Sequence, residues 1–175
     1  MNKSDAIAFL EKSGCSPDVI DHCMAVAIYA RELAACIIEC SEKKGTRVEI
    51  DIDAVYIGAL LHDIGRSKTH GLRHAVEGAE MAIGMGLDYK IVNIIERHIG
   101  GGIPGEEAVV IGLPEKDYIP VSIEEKLVAH ADNLFLGSQL CTMEDTVSRL
   151  RRKKLDENIV RRIIDLGNEI SLMQC

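Results

Sequence analysis

Six side chains in this sequence are of the types that do metal chemistry: His22, His62, Asp63, His74, His98 and Asp132. A hydrolytic metal centre needs imidazole nitrogens and carboxylate oxygens converging from separate elements, with a coordination position left for water. The adjacent pair His62-Asp63 supplies both ligand types. Neighbouring residues on a helix differ by about 100° around the axis, so the pair can face two metal positions, or Asp63 can bridge them. A His-Asp pair alone is weak evidence, but its companions strengthen it. His22 lies near the apolar face of a long predicted helix. His74 opens one predicted helix and His98 closes the next. Asp132 sits inside the apolar stretch Leu127-Val128-Ala129-His130-Ala131-Asp132-Asn133-Leu134, where an unpaired carboxylate is costly and a divalent cation would compensate it.

Four cations, Arg66, Lys68, Arg73 and Arg97, lie close in sequence to these residues and are candidates to hold a phosphate. Arg66 and Lys68 come first, because a turn after Gly65 would keep them at the mouth of the site. Asp63 is the candidate to position or deprotonate a nucleophile. Glu77 either orients the His74 imidazole or is an ordinary surface residue. His70 reads as a polar loop residue with a place at the site edge open to it. His130 precedes Asp132 by two, about 200° on a helix, and so is not expected to be a ligand. Gly100–Gly102 can shape a phosphate loop or form a plain connection, and no Lys-Ser/Thr follows to make a P-loop.

The elements that must position these groups read as helices. The first runs from Ser4 or Asp5 to Ser13 and ends at Gly14. The second starts with Ser16 as cap and Pro17 at the first helical position, and presents Val19, Cys23, Val26, Ala27, Ala30, Leu33, Ala34 and Ile37 at helical spacing, fading before Gly45. Asp51 or Asp53 caps a third that reaches His62-Asp63, where Gly65 permits a turn. Helices follow over His74 to Met85 and, capped by Asp88, over Tyr89 to His98. Residues 99–121 hold most of the Gly and Pro of the second half and read as a long functional or mobile loop. A Ser122-Ile123-Glu124-Glu125 capping box opens a helix to about Gly137. Stretches near Glu144–Leu150 and Asp156–Met173 close the chain.

The order His22, then His62-Asp63-Ile64-Gly65, then Asp132 resembles the HD superfamily of metal-dependent phosphohydrolases, in its H-D-I-G subgroup. The resemblance spans most of the chain. It implies an all-α fold, a compact single-domain helical bundle over residues 1–175, with His22, His62, Asp63 and Asp132 binding one divalent metal. Many members hold a second metal through two further histidines between the H-D pair and the last Asp, and His74 and His98 match that pattern. The resemblance thus implies one or two divalent ions per chain, drawn from Fe, Mn, Zn, Ni, Co or Mg. The activity implied is hydrolysis of a phosphomonoester or phosphodiester in a small nucleotide-like substrate, cyclic phosphates included, by a metal-activated water. A di-iron oxygenase is the chemically different alternative. A regulatory module with a vestigial site is the third, and the complete ligand set counts against it.

Composition bounds the rest. The chain has 175 residues, 47% of them apolar, with two Phe, four Tyr and no Trp, which suits a core of aliphatic residues on packed helices. A net charge of −8 disfavours non-specific nucleic-acid binding but not a small phosphate ligand at a cation. The one basic cluster, Arg149, Arg151, Arg152, Lys153 and Lys154, is either a solvated helix end or a contact for an anionic partner. Six cysteines show no paired framework and read as reduced thiols; Cys36 and Cys40, at i, i+4, are the pair that could in principle bind metal. No basic leader and no run of roughly 18 apolar residues is present, so a cytoplasmic protein without a membrane contact is expected, and a homo-oligomer is left open.

Overall fold

The computed structural model describes all 175 residues, and nine α-helices carry the chain. Helix α1 (Lys3–Ser13) is capped by Asn2, whose side chain accepts from the Asp5 amide while Asp5 accepts from Asn2 in return, and it stops at Gly14 with φ 87°. Helix α2 (Pro17–Lys43) begins under Ser16 and buries the face expected from its spacing, Cys23 through Ile37. Helix α3 (Ile52–Leu61) is capped by Asp51 rather than Asp53, through a 3.0 Å bond from the Ala54 amide to Asp51 Oδ1. Seven of its ten residues are buried, because it runs through the middle of the molecule against α1, α2, α5 and α7.

Helices α4 (His74–Gly84) and α5 (Tyr89–Arg97) pack on each other, and α7 (Ile123–Asn133) closes the centre against α2, α3, α5 and α9. The apolar side chains of α2, α3 and α7 form one continuous core with Leu10, Ile94, Ile95, Leu166 and Ile170. Helix α8 (Met143–Arg152) lies outside it, while α9 (Glu157–Met173) covers α7 and supplies Leu166 and Ile170 to the core. No helix is long and apolar enough to cross a membrane.

Four local expectations are corrected. The 99–121 stretch contains a short helix, α6 (Gly105–Val110), with Ala108 buried in a satellite cluster of Val76, Ile103, Leu113 and Tyr118; the surrounding Gly and Pro hid it. Helix α7 ends at Asn133, not Gly137, because Phe135–Leu136 and Gln139–Leu140 form a two-stranded hairpin (β1, β2) that turns at Gly137 with φ 58°. Ser122 accepts from the Glu125 amide, but Glu125 does not return the bond to Ser122; its carboxylate takes the Val121 amide and Arg97. Cys40 is not a free thiol: it is joined to Cys175, 135 residues away, where the end of α9 returns beside the last turns of α2. Cys36 is exposed and Cys15 and Cys23 are buried and free.

Gly65 matters for a reason other than turning. A Cβ built there would lie 1.9 Å from the His74 carbonyl oxygen and 2.6 Å from the Gly78 amide, so the turn after Asp63 packs directly on the backbone of α4. Neither neighbour is a flexible side chain. Gly65→Ala should therefore force the α4 backbone away, lowering stability by about 1–3 kcal/mol or more in denaturant melts and reducing bound metal. Gly84→Ala, with nothing within 4 Å, is the control and should be neutral or slightly stabilising. Equal melting of the two variants would show that the contact is not restrictive.

His130 faces away from the other histidines, toward α9, where a Cβ on Gly167 would lie 3.4 Å from its ring. It is buried, its Nδ1 has no partner, and burial pushes its pKa down from 6.5 to about 4. The unfolded chain binds that proton near pH 6.5 and the folded chain only near 4, so the stability present above pH 6.5 drains away as pH falls toward 4, by about 3 kcal/mol in all. Thermal melts of metal-free protein should show a shallower loss over this range in His130→Leu than in the wild type. An unchanged slope would remove His130 from the account.

Candidate metal centre

Helix ends build the site. An α-helix leaves its last four carbonyls without intrahelical partners. His62 follows α3 directly and donates its Nδ1–H to Ala59, 2.7 Å away; His98 follows α5 and does the same to Ile95, also at 2.7 Å. His74, the first residue of α4, bonds the Gly71 carbonyl at 2.7 Å. Each ring thus uses the carbonyl three residues back. His22, on the second turn of α2, bonds the carbonyl of Gly137 at the hairpin turn, at 2.8 Å. Phe135 of that hairpin stands edge-on to His22 and Tyr29. With all four Nδ1 protons committed to carbonyls, all four Nε2 lone pairs point at one region.

Asp63 occupies the middle of that region, just beyond the end of α3 at φ −100°, ψ 12°. Its Oδ2 lies 3.8 Å from His62 Nε2 and 3.9 Å from His22 Nε2. Its Oδ1 lies 3.0 Å from His74 Nε2 and 3.5 Å from His98 Nε2. Asp132 joins the first group, with Oδ1 2.9 Å from His22 Nε2 and 3.5 Å from His62 Nε2. The two rings of each half are close, His22 to His62 at 3.2 Å and His74 to His98 at 3.1 Å between Nε2 atoms. Six side chains from five elements therefore converge as two groups on either side of one carboxylate.

These residues fit divalent cations. Asp63 Oδ1 is buried and has no hydrogen-bond donor, because the nitrogens facing it present lone pairs. Ligand atoms about 3–4 Å apart are the spacing that bonds of about 2.1 Å to a central ion would span. Burial raises the Asp63 carboxyl; without a cation it is held far below the usual carboxylate range by charge on His62 and by Nε2 protons on His74 and His98, protons that a bound cation would replace. Burial likewise raises the Asp132 carboxyl, and without a cation Nε2 protons on His22 and His62 lower it. Burial and the neighbouring His62 and His74 rings lower the His98 pKa, which keeps it neutral as a ligand must be.

The remaining candidates divide. Arg66 Nε pairs with Asp63 Oδ2, so this guanidinium orients the shared carboxylate instead of standing free at the mouth. Lys68 is exposed and makes no ion pair, and His70 is exposed. Arg73 and Glu77 pair with each other at 2.9 Å, which takes Glu77 away from His74. Arg97 is bound to Glu125 at 3.0 Å in the interior between α5 and α7. Asp132 has 23% of its side chain open to solvent, so it stands at the rim and its compensation comes from two imidazoles. Sequence reasoning missed the Gly137 carbonyl, which lies 115 residues from the His22 ring that it fixes.

Two ligand sets predict two ions per chain by elemental analysis, and about one for His98→Ala. Whatever binds only the native state adds RT ln(1 + [L]/Kd), about 2.7 kcal/mol at a hundredfold excess over Kd, so chelator should lower the wild-type melting temperature. Asp132→Asn should make melting nearly insensitive to chelator. Equal chelator shifts in wild type and variant would take Asp132 out of the site.

The HD domain family model matches residues 19–136, a span that includes His22, His62-Asp63, His74, His98 and Asp132. An uncharacterised protein of Methanocaldococcus jannaschii is 48% identical over 162 residues, covering 91% of this chain and 92% of its own. A tRNA (cytidine(56)-2'-O)-methyltransferase of Thermoplasma volcanium is 41% identical over 170 residues, which is 97% of this chain; the chain spans about half, 47%, of that protein's length. Among solved structures, the HD domain of the L. monocytogenes phosphodiesterase PgpH in complex with cyclic-di-AMP superposes with TM-score 0.52 at 16% identity over 93% of this chain and 92% of that one, a likeness of fold. With the family model covering two thirds of the chain and all six clustered side chains inside it, the chain belongs to the HD superfamily of metal-dependent phosphohydrolases.

Proposed function

We propose that this protein hydrolyses a phosphate ester, a phosphomonoester or phosphodiester in a small nucleotide-like substrate, at a two-metal centre. The observation that carries the reading is the shared carboxylate: Asp63 turns one oxygen to His22 and His62 and the other to His74 and His98. Divalent cations bound there would supply water of lowered pKa and neutralise phosphate charge in an in-line displacement at phosphorus. His22, His62, Asp63 and Asp132 would hold one cation, and His74 and His98 with Asp63 the other. Arg66, paired with Asp63 Oδ2, keeps that carboxylate in register. Asp132, at the rim, is the ligand nearest solvent and so nearest the incoming ester. Lys68, unpaired on the turn after Asp63, is available to a non-bridging phosphate oxygen. The L. monocytogenes phosphodiesterase domain, whose fold this chain shares, is described in complex with cyclic-di-AMP, which supports a cyclic dinucleotide as one substrate to try.

Purified metal-loaded protein should hydrolyse bis(p-nitrophenyl) phosphate or p-nitrophenyl phosphate, and a panel of mono- and cyclic nucleotides should identify a better substrate. His62→Ala and Asp63→Ala should each lose hydrolysis by at least a thousandfold together with bound metal, while circular dichroism keeps the helical signal. Lys68→Ala should keep both metals and raise KM. Full activity in either His62→Ala or Asp63→Ala would refute the reading.

A further inference from the structure

We propose that an apolar cavity beside the metal centre receives the heterocyclic base of the substrate; the proposal rests on the nucleotide-phosphate reading above. The cavity holds about 290 Å³ and is walled by Leu72, Ile99, Ile103, Ile111, Leu155 and Ile159, with the Glu107–Arg162 ion pair also in its lining. That volume is near the lower bound of about 300 Å³ for small-ligand sites, and suits one ring system better than a whole dinucleotide.

Its place in the fold ties it to the centre from two sides. Ile99 is bonded to His98. Leu72 follows Gly71, whose carbonyl fixes the His74 ring, and lies within two residues, at most about 7.6 Å between Cα atoms, of His74. The two chain segments that position the His74–His98 half are thus also walls of the cavity. Leu155 follows α8, and α8 touches the other half: Arg149 Nη2 and Thr146 Oγ1 both donate to the carbonyl of Asn133, the residue after Asp132.

The chemistry of the walls selects the occupant. Flat faces of branched aliphatic side chains accept a planar ring, and two of them, Leu72 and Ile111, are 46% and 44% exposed at the rim. Arg162 spends three N–H groups on Glu107, at 2.9 and 2.6 Å, and on the Gly102 carbonyl, at 3.2 Å. Those bonds tie the guanidinium to the wall, and the surface the cavity exposes is almost wholly apolar. Arg152, Lys153 and Lys154, the three residues that lead into the wall residue Leu155, are exposed in a chain of net charge −8. A ligand with an apolar ring and an anionic tail complements this face, which is the make-up of a nucleotide. A lipid or apolar peptide would leave the cations unused.

Isothermal titration of the metal-loaded protein with adenosine 5′-monophosphate, ribose 5-phosphate and inorganic phosphate tests this. The base should tighten binding at least tenfold over ribose 5-phosphate. Ile159→Phe, which fills the cavity, should erase that difference while the affinity for ribose 5-phosphate stays within twofold. Leu72→Gln changes an exposed rim residue and cannot unfold the core; it should reduce the difference severalfold. Equal affinity for the two sugar phosphates in the wild type, or a base preference untouched by both variants, overturns the proposal. Hydrolysis of bis(p-nitrophenyl) phosphate without a base preference removes the cavity and leaves the phosphohydrolase reading. A base preference without any ester hydrolysis supports the cavity and removes that reading.

Discussion

The structure is organised around one buried carboxylate. Asp63 is almost wholly enclosed, ionised, and surrounded by imidazole nitrogens whose protons are already spent on backbone carbonyls. A charge taken out of water without hydrogen-bond donors is among the most costly things a fold can contain. Arg66 meets one of its oxygens and nothing donates to the other. Cations between the carboxylate and the rings would resolve that cost, and with it the opposition of lone pairs about 3 Å apart in each histidine pair. The requirement reaches outward: α3 must end at Leu61 to free the Ala59 carbonyl, Gly65 must lack a side chain to bring α4 close, and the β-hairpin must deliver the Gly137 carbonyl to His22.

Much of this was legible because metal chemistry depends on residue type. His62-Asp63, His22 and Asp132 are unusual in apolar surroundings, and helical periodicity placed them on elements able to converge. The long helices were legible too, since Ser16-Pro17 and Asp88 are start signals with a physical basis. What stayed hidden depends on contacts distant in sequence. Helix α6 is held by the burial of Ala108 against Tyr118 and Leu113, and the local sequence, rich in Gly and Pro, argues against it. The Cys40–Cys175 bond and the Gly137 carbonyl join positions more than a hundred residues apart. Arg66, Glu77 and Arg97 look alike as charged neighbours of the site, and only the side-chain geometry separates the one on Asp63 from the two paired elsewhere.

The division between rigid and open parts follows the same logic. The ligands rest on helix ends backed by the aliphatic core, which holds lone pairs in register without help from a loop. The face toward solvent includes Asp132, Lys68 and the basic end of α8. Such a face can differ among relatives of one fold while the centre beneath it stays the same, and it is where substrate choice would be set.

The central claim is that Asp63 bridges two cations. Anomalous diffraction from crystals of metal-loaded protein, collected at the metal absorption edge, tests it directly. The account predicts two peaks about 3.5–4 Å apart, one beside His22, His62 and Asp132 and the other beside His74 and His98, with one Asp63 oxygen on each. A single peak, with His74 and His98 turned away from Asp63, would contradict it.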